Sequence, residues 1–152
     1  MQTIVVGVDQ SDTARRAAFA AAKIAAACCS PLHVVMAVNR GKTVEVNVGA
    51  SDRWHLDWLS SAEQFLDALV GELPASPITR AVSLHDPATA LCEEAERLEA
   101  SMIVVGNRRV QGAARLLGAV ATDVARRAPC DVLIANTTSE RPDDRADDRA
   151  DI

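Results

Sequence analysis

The chain has 152 residues, of which 49% are hydrophobic and only 3% aromatic, with no tyrosine and a formal net charge of −5. This length and apolar content fit one domain with an aliphatic core. The negative charge and the shortage of aromatic side chains argue against a nucleic-acid surface. Because the sequence shows neither an apolar run long enough to span a bilayer nor a charged leader, we expect a cytoplasmic protein that contacts no membrane.

The first part of the chain alternates between strand and helix patterns. Residues 3–8 are apolar, β-branched and too few for a helix, which predicts a strand buried on both faces. Ser11 or Asp12 can cap the alanine-rich helix predicted over residues 14–27. The next apolar run, residues 32–38, predicts the second strand.

The middle of the chain begins with a segment that has no helical periodicity. Residues 39–51 combine glycine with polar side chains, so we expect a long loop that is a candidate lid. Helical spacing returns over residues 52–70, where Asp52 can cap the helix. We expect Trp54 and Trp58 to help cover the sheet, with stacking on a ligand as the alternative.

The second half repeats the alternation. Residues 78–84 predict a strand, and Asp86 followed by Pro87 is typical of a helix start, here leading into residues 88–98. Further strands are predicted at residues 102–106 and 131–136, and the helix between them by the spacing of Leu116, Leu117, Val120 and Val124. Five strands alternating with four helices predict a parallel sheet covered on both faces.

The composition changes abruptly near the end of the chain. Residues 139–152 contain the repeated unit DDRA and almost no apolar side chain. We therefore divide the chain into a domain over residues 1–138 and a charged, disordered tail over residues 139–152, with an acidic interaction arm as the alternative for the tail.

The cysteines and histidines do not form a metal-binding pattern. No C-x-x-C pair occurs, so we expect buried or half-buried free thiols and no metal site. The four cysteines are Cys28, Cys29, Cys92 and Cys130, and the unpaired histidines are His33, His55 and His85.

Four motifs together resemble the universal stress protein family. They are IVVGVD-x-S, HDPATAL, IVVGNRR and RLLGAVATDVARRAPCDVLI, and they cover almost all of residues 2–136 in the expected order. The resemblance implies a doubly wound, five-stranded parallel α/β sheet of order 3-2-1-4-5, the adenine nucleotide alpha hydrolase-like fold. It also implies a homodimer paired through the last strand, between Cys130 and Asn136. In one branch of the family it implies binding of ATP or another adenine nucleotide.

The nucleotide-binding branch of the family has a glycine pattern that this chain matches in part. Gly106 takes the first glycine position, whereas Arg109 stands at the second and Ala119 replaces the final hydroxyl residue; the gap to Gly118 is one residue short. Glycines let a backbone approach phosphate closely, and the amides at a helix start attract anions. The amides of Gly118, Ala119 and Val120 are retained.

Two arginines follow the first glycine. Arg108 and Arg109 can supply bidentate phosphate donors in place of the lost hydroxyl, and Gly112 can supply the close approach that Arg109 cannot. The alternative is that both arginines are exposed loop charges.

The opposite wall of the expected site comes from the first two strands. By resemblance Asp9 faces the adenine or ribose, Gly7 and Val8 border it, and Ala37 offers backbone to the adenine edge. The alternative for Asp9 is to cap the turn that follows the strand.

Three functions remain open from the sequence. The first is a stress-response protein that binds an adenine nucleotide, namely ATP (with or without Mg), AMP or cyclic AMP, and acts through partners. The second is a slow ATP hydrolase, for which Asp9 and Asp12 are the local acids but no catalytic constellation is recognisable. The third is a dimeric interaction module that no longer binds nucleotide, as the residues Arg109 and Ala119 suggest.

Overall fold

The computed structural model describes residues 2–38, 51–75, 77–107 and 117–137, with side chains of the second helix described from residue 59 onward. Within these ranges strands and helices alternate as the sequence predicts. Their bounds are β1 Ile4–Val8, α1 Asp12–Ala27, β2 Leu32–Ala37, α2 Ser51–Glu72, β3 Ile78–Ser83, α3 Pro87–Arg97, β4 Met102–Gly106, α4 Ala119–Arg127 and β5 Asp131–Ala135.

The five strands form one parallel sheet in the order β3-β2-β1-β4-β5, which confirms the predicted fold. β1 lies at the centre, where Val6 pairs with Val34 of β2 on one side and with Val104 of β4 on the other. The chain adds β2 and β3 on one side of β1 and then β4 and β5 on the other side, so the point where the strand order reverses lies between β1 and β4. The carboxyl ends of β1, β2 and β4 meet at this switch point, which is where open α/β sheets bind ligands.

Successive strand residues point to opposite faces of the sheet, and each face has its own aliphatic core. Val6 and Val34 lie in the first core, which is completed by side chains of α1 and α2. Val5 and Val35 lie in the second core, together with side chains of α3 and α4. Burial on both faces explains why these strands are continuous apolar runs.

Two helix starts follow the sequence closely. Ser11 precedes α1, and its hydroxyl oxygen accepts a hydrogen bond from the amide of Ala14 at 3.2 Å. Asp86 precedes α3 and accepts from the amide of Thr89 at 3.1 Å, with Pro87 as the first helical residue. Hydrogen bonds from the side chain and the backbone amide of Thr89 hold the pKa of the Asp86 carboxyl below its ordinary value.

Three details differ from the sequence-based expectations. α4 begins only at Ala119, because Gly118 is extended (φ −62°, ψ 156°) as its N-cap, so Leu117 precedes the helix and is 42% exposed. Asp52 lies inside α2, which already begins at Ser51. The expectation of buried thiols is wrong for Cys28 and Cys29, which lie exposed on the turn after α1; Cys92 and Cys130 are half-buried as expected.

Several sequence-based predictions concern positions outside the described residues. They are the candidate lid before α2, the side chains of Trp54 and Trp58, the loop residues Arg108, Arg109 and Gly112, and the charged tail.

Candidate functional site

Two neighbouring cavities open at the carboxyl ends of the central strands. The larger has a volume of about 440 Å³ and lies between the ends of β1 and β2 and the side of α2. The smaller, of about 160 Å³, lies between the ends of β1 and β4 and the first turns of α3 and α4. Asp9, Ser11 and Ala37 line both, so the two cavities meet beside the end of β1. The larger cavity is within the volume range of small-molecule sites.

The larger cavity has an apolar floor and a polar rim. Met36 and Ala37, at the end of β2, contribute the floor together with Ala62 of α2. Asp9 and Ser61 contribute polar groups at its edge. A cavity that combines apolar surface with polar groups at its edge suits a heteroaromatic ring whose edge needs hydrogen bonds.

Asp9 has a local structural role at this edge. Its Oδ1 accepts a hydrogen bond from the amide of Ser11 at 2.9 Å and another from the Ser11 hydroxyl. The turn-capping alternative considered for Asp9 is therefore observed. The same carboxylate lines both cavities, so the turn also fixes where its negative charge lies.

Two of the predicted site glycines are closely approached by neighbouring helices. A Cβ on Gly7 would lie 2.8 Å from Cδ1 of Leu91 in α3, so β1 and α3 approach closely here. A Cβ on Gly106 would lie 3.2 Å from Cγ2 and 3.3 Å from the carbonyl oxygen of Thr13 in α1. Both glycines line the smaller cavity, but neighbouring helices already explain their lack of a side chain.

Gly118 differs from these two glycines. No atom of the described residues lies within 4 Å of a Cβ built there, and its backbone angles are ones that any residue can adopt. Gly118 makes no side-chain cap, so the first amides of α4 keep their donor capacity. Val120, in that first turn, lines the smaller cavity. The positive end of the α4 dipole therefore lies beside this cavity.

The start of the arginine-bearing loop is held by the end of the domain. The Asn107 amide donates to the carbonyl of Ala135 at 3.2 Å, and the Thr137 hydroxyl donates to the carbonyl of Asn107 at 2.7 Å. Arg16 of α1 donates to the carbonyl of Thr137 at 3.0 Å. These contacts hold the backbone of Asn107, the last described residue before the loop.

Comparison with known proteins gives a consistent result. The model of the universal stress protein family matches residues 1–136. The chain belongs to this family. A universal stress protein of Mycobacterium tuberculosis is 33% identical over 147 residues, which cover 90% of this chain and 97% of that protein.

Solved structures of universal stress proteins share the fold. One, in complex with cAMP, has 33% sequence identity and a TM-score of 0.62 over 90% of this chain and 98% of the other. Another, from Archaeoglobus fulgidus and in complex with dAMP, has 23% identity and a TM-score of 0.66 over 90% of this chain and 98% of the other. Because its sequence identity is only 23%, the Archaeoglobus fulgidus structure supports the shared fold and nothing further.

The structure of this universal stress protein brings most of the described candidate residues together. Gly7, Val8, Asp9, Ala37, Gly106 and Val120 all line one or both cavities. Gly118 and Ala119 form the start of α4, directly before Val120.

Sequence reasoning missed the contributions of α1, α2 and α3 to the site. Ser61 and Ala62 of α2 close the larger cavity, and Thr13 and Leu91 line the smaller one. A glycine within a β-branched strand signals a close approach, which points to a partner such as Leu91 without identifying it. No local signal marks Ser61, because its place depends on how α2 packs on β2 and β3.

Neither a metal-binding cluster nor a membrane-spanning helix is present among the described residues. In that part of the chain, no group of three or more His, Cys, Asp or Glu side chains is placed to hold a metal ion. None of the helices within the described ranges is long and apolar enough to cross a membrane.

Proposed function

We propose that this universal stress protein binds an adenine nucleotide at the carboxyl ends of β1, β2 and β4 and acts through protein partners in the stress response. The observation that carries the proposal is the junction of the two cavities beside Asp9, with the larger sized for a base and the smaller bordered by the start of α4. A relative with 33% identity over most of its length has been solved in complex with cAMP.

In this proposal the adenine occupies the larger cavity. Met36, Ala37 and Ala62 supply apolar surface to the ring, and the backbone of Ala37 supplies hydrogen bonds to its edge. The Asp9 carboxylate, held by its bond to the Ser11 amide, accepts from a ribose hydroxyl or the adenine amine.

The phosphate lies towards the first turn of α4. The amides of Ala119 and Val120 donate to it, since the first amides of a helix have no partner within the helix. Loss of a family hydroxyl at Ala119 costs about 0.5–1.5 kcal/mol as one neutral hydrogen bond, whereas an arginine contact to phosphate returns about 1.5–3 kcal/mol. Arg108 and Arg109 are the proposed source of that contact, assisted by Gly112. We therefore expect weak to moderate affinity, with Kd between about 1 μM and 1 mM.

Titration calorimetry with cAMP, AMP and ATP, the last with and without Mg, tests binding. A Ser61→Trp variant fills the larger cavity from α2 and should weaken binding more than about tenfold, which is about 1.4 kcal/mol. Ser60→Trp is the matched control, because Ser60 is exposed on the same helix and does not line the cavity. Equal affinities of the two variants would place the base elsewhere.

The second candidate function is an interaction module that binds no nucleotide. It is favoured by Ala119, the first residue of α4, which lacks the hydroxyl of the nucleotide-binding pattern. Absence of heat with all three nucleotides, from protein that elutes free of nucleotide, would favour this function over the first.

A further inference from the structure

Cys28 and Cys29 form an exposed pair of thiols at the end of α1. The pair precedes β2, whose entry is marked by the hydrogen bond from the amide of Ile4 to the carbonyl of Pro31 at 2.9 Å. It therefore lies at the amino-terminal edge of the parallel sheet, opposite the edge at which the two cavities open. The proposed nucleotide site uses neither thiol.

The backbone beneath the pair is fixed by hydrogen bonds. The amides of Cys28, Cys29 and Ser30 donate to carbonyls of the last turn of α1 at 2.9, 3.2 and 2.8 Å. Cys29 has a positive φ of 52°, and Glu99 has a φ of 48° in the corresponding turn after α3. The shared turn shows that this conformation is a helix-ending motif. Its consequence is that two adjacent, exposed cysteines lie on a backbone held by hydrogen bonds.

The spacing of the pair disfavours an internal disulfide. Adjacent Cα atoms are about 3.8 Å apart, whereas disulfides usually need about 4.4–6.8 Å. A disulfide between adjacent cysteines would close a small, strained ring. A single soft atom bonded to both sulfurs makes that ring one member larger and removes the need for a direct S–S bond. Thiolates prefer such soft centres. No third ligand accompanies the pair in a cluster within the described residues, which favours a centre that two sulfurs satisfy.

We infer that Cys28 and Cys29 form a dithiol site for soft, thiophilic species that bind two sulfurs, represented by monosubstituted trivalent arsenicals. When such an arsenical oxide reacts, two S–As bonds form and the arsenic–oxygen bonds break. The oxygen leaves as water with the two thiol protons, and the oxidation state of arsenic does not change.

The other two cysteines provide an internal control. Cys92 and Cys130 are half-buried, and burial raises the pKa of each thiol. A raised pKa leaves less thiolate, which is the reactive form. The exposed pair should therefore react first.

The test uses the full chain, reduced and treated with one equivalent of phenylarsine oxide in the presence of excess glutathione, followed by intact-protein mass spectrometry. The wild type and the Cys92→Ser/Cys130→Ser variant should each retain one adduct, released by the chelating dithiol 2,3-dimercaptopropanol. Cys28→Ser and Cys29→Ser should each need about 100-fold less glutathione to lose the adduct, because the second sulfur binds at a high effective concentration.

Retention by Cys28→Ser/Cys29→Ser as strong as in the wild type would overturn the inference, as would undiminished retention by either single variant. Circular dichroism checks that the variants fold, which their exposed positions favour. The readout involves no nucleotide, so its failure and the failure of the proposed function are separate results.

Discussion

Gly7 shows how one residue couples β1 to a helix above the sheet. Its missing side chain is what lets Leu91 of α3, which is buried, reach the backbone of β1 at the site. The contact places α3 close enough for Leu91 and Pro87 to wall the smaller cavity. Packing and site geometry are therefore set by the same close contact.

We expect Gly7→Ala to lower the free energy of unfolding by about 1–3 kcal/mol, the usual cost of forcing an extra methyl group into a packed core. Gly71→Ala is the control: Gly71 lies in α2 with none of the described residues within 4 Å of a Cβ placed on it, so alanine should raise stability by about 0.5–1 kcal/mol. Urea unfolding of both variants measures this. Equal stability of Gly7→Ala and the wild type would show that Leu91 moves aside without cost.

His33 is a buried ionisable residue of β2 that lines neither cavity. Its Nδ1 lies 2.7 Å from Oγ1 of Thr79, and its Nε2 lies 3.0 Å from Oε2 of Glu94, with Arg97 bonded to the same carboxylate. Burial lowers the pKa of His33 below 6.5; Arg97 acts in the same direction and Glu94 opposes it. Although burial alone would raise the pKa of Glu94, Arg97 and His33 outweigh it and keep that pKa below its ordinary value.

The lowered pKa of His33 predicts a pH-dependent stability. The unfolded chain binds a proton near pH 6.5, before the folded protein does, so stability is greatest above that pH and falls as the pH drops towards the folded-state pKa. Urea midpoints measured from pH 7.5 to 5.5 should decrease for the wild type and change less for His33→Gln. The same slope in both proteins would assign the pH dependence to other groups; Glu94 acts in the same direction, but at lower pH, around and below 4.5.

At the scale of one element, α4 is short and begins without a side-chain cap. No atom of the described residues lies within 4 Å of a Cβ built on Gly118, and its backbone conformation suits any residue. Asp and Asn are both favoured at this position and should stabilise the helix start to a similar degree. The two substitutions therefore differ mainly in charge.

We expect Gly118→Asp to weaken nucleotide binding more than about tenfold, and Gly118→Asn to keep it within about threefold. Repulsion between two unit charges 4 Å apart is about 1 kcal/mol in bulk water and about 4 kcal/mol near a protein surface, which brackets the expected loss. Titration calorimetry at two salt concentrations measures it, and the difference should shrink as salt rises. An equal loss in both variants would indicate a steric effect, and no loss in either would move the phosphate away from α4.

At the scale of the whole molecule, the sheet has two edges, β3 and β5. Val132, Leu133 and Ile134 of β5 are only half-buried within one copy of the chain. An apolar edge strand with unpaired backbone groups favours association with another strand. We propose that two copies pair through β5 about a twofold axis, as the resemblance to the family implies.

The expected result is a dimer at micromolar concentration in sedimentation, converted to a monomer by Leu133→Glu. Val82→Glu is the matched control: Val82 lies at the opposite edge, on β3, and packs against the same core as Leu133, so damage to the fold should be similar. Circular dichroism monitors folding of both variants. A wild-type monomer, or a dimer that persists in Leu133→Glu, would contradict pairing through β5.

The sequence by itself determined the elements and their order. Runs such as residues 102–105 are short and apolar on both faces, which is typical of a strand covered on both sides, and Asp86 with Pro87 fixes a helix start through purely local hydrogen bonding. The turn role of Asp9 was also within reach, because its partner Ser11 is two residues away. The helix start and the turn depend on contacts between near neighbours in the chain, and the strands are recognisable from their residue types alone.

Only the tertiary structure decided which glycines pack closely against other described residues and which do not. Gly7 and Gly106 face Leu91 and Thr13, which are far away in sequence, whereas Gly118 faces none of the described residues. It also decided that Ser61 closes a cavity with the end of β2 and that Cys28 and Cys29 are exposed. Periodicity gives the face of a helix but not the partner against which that face packs, because the partner is set by long-range burial across the sheet.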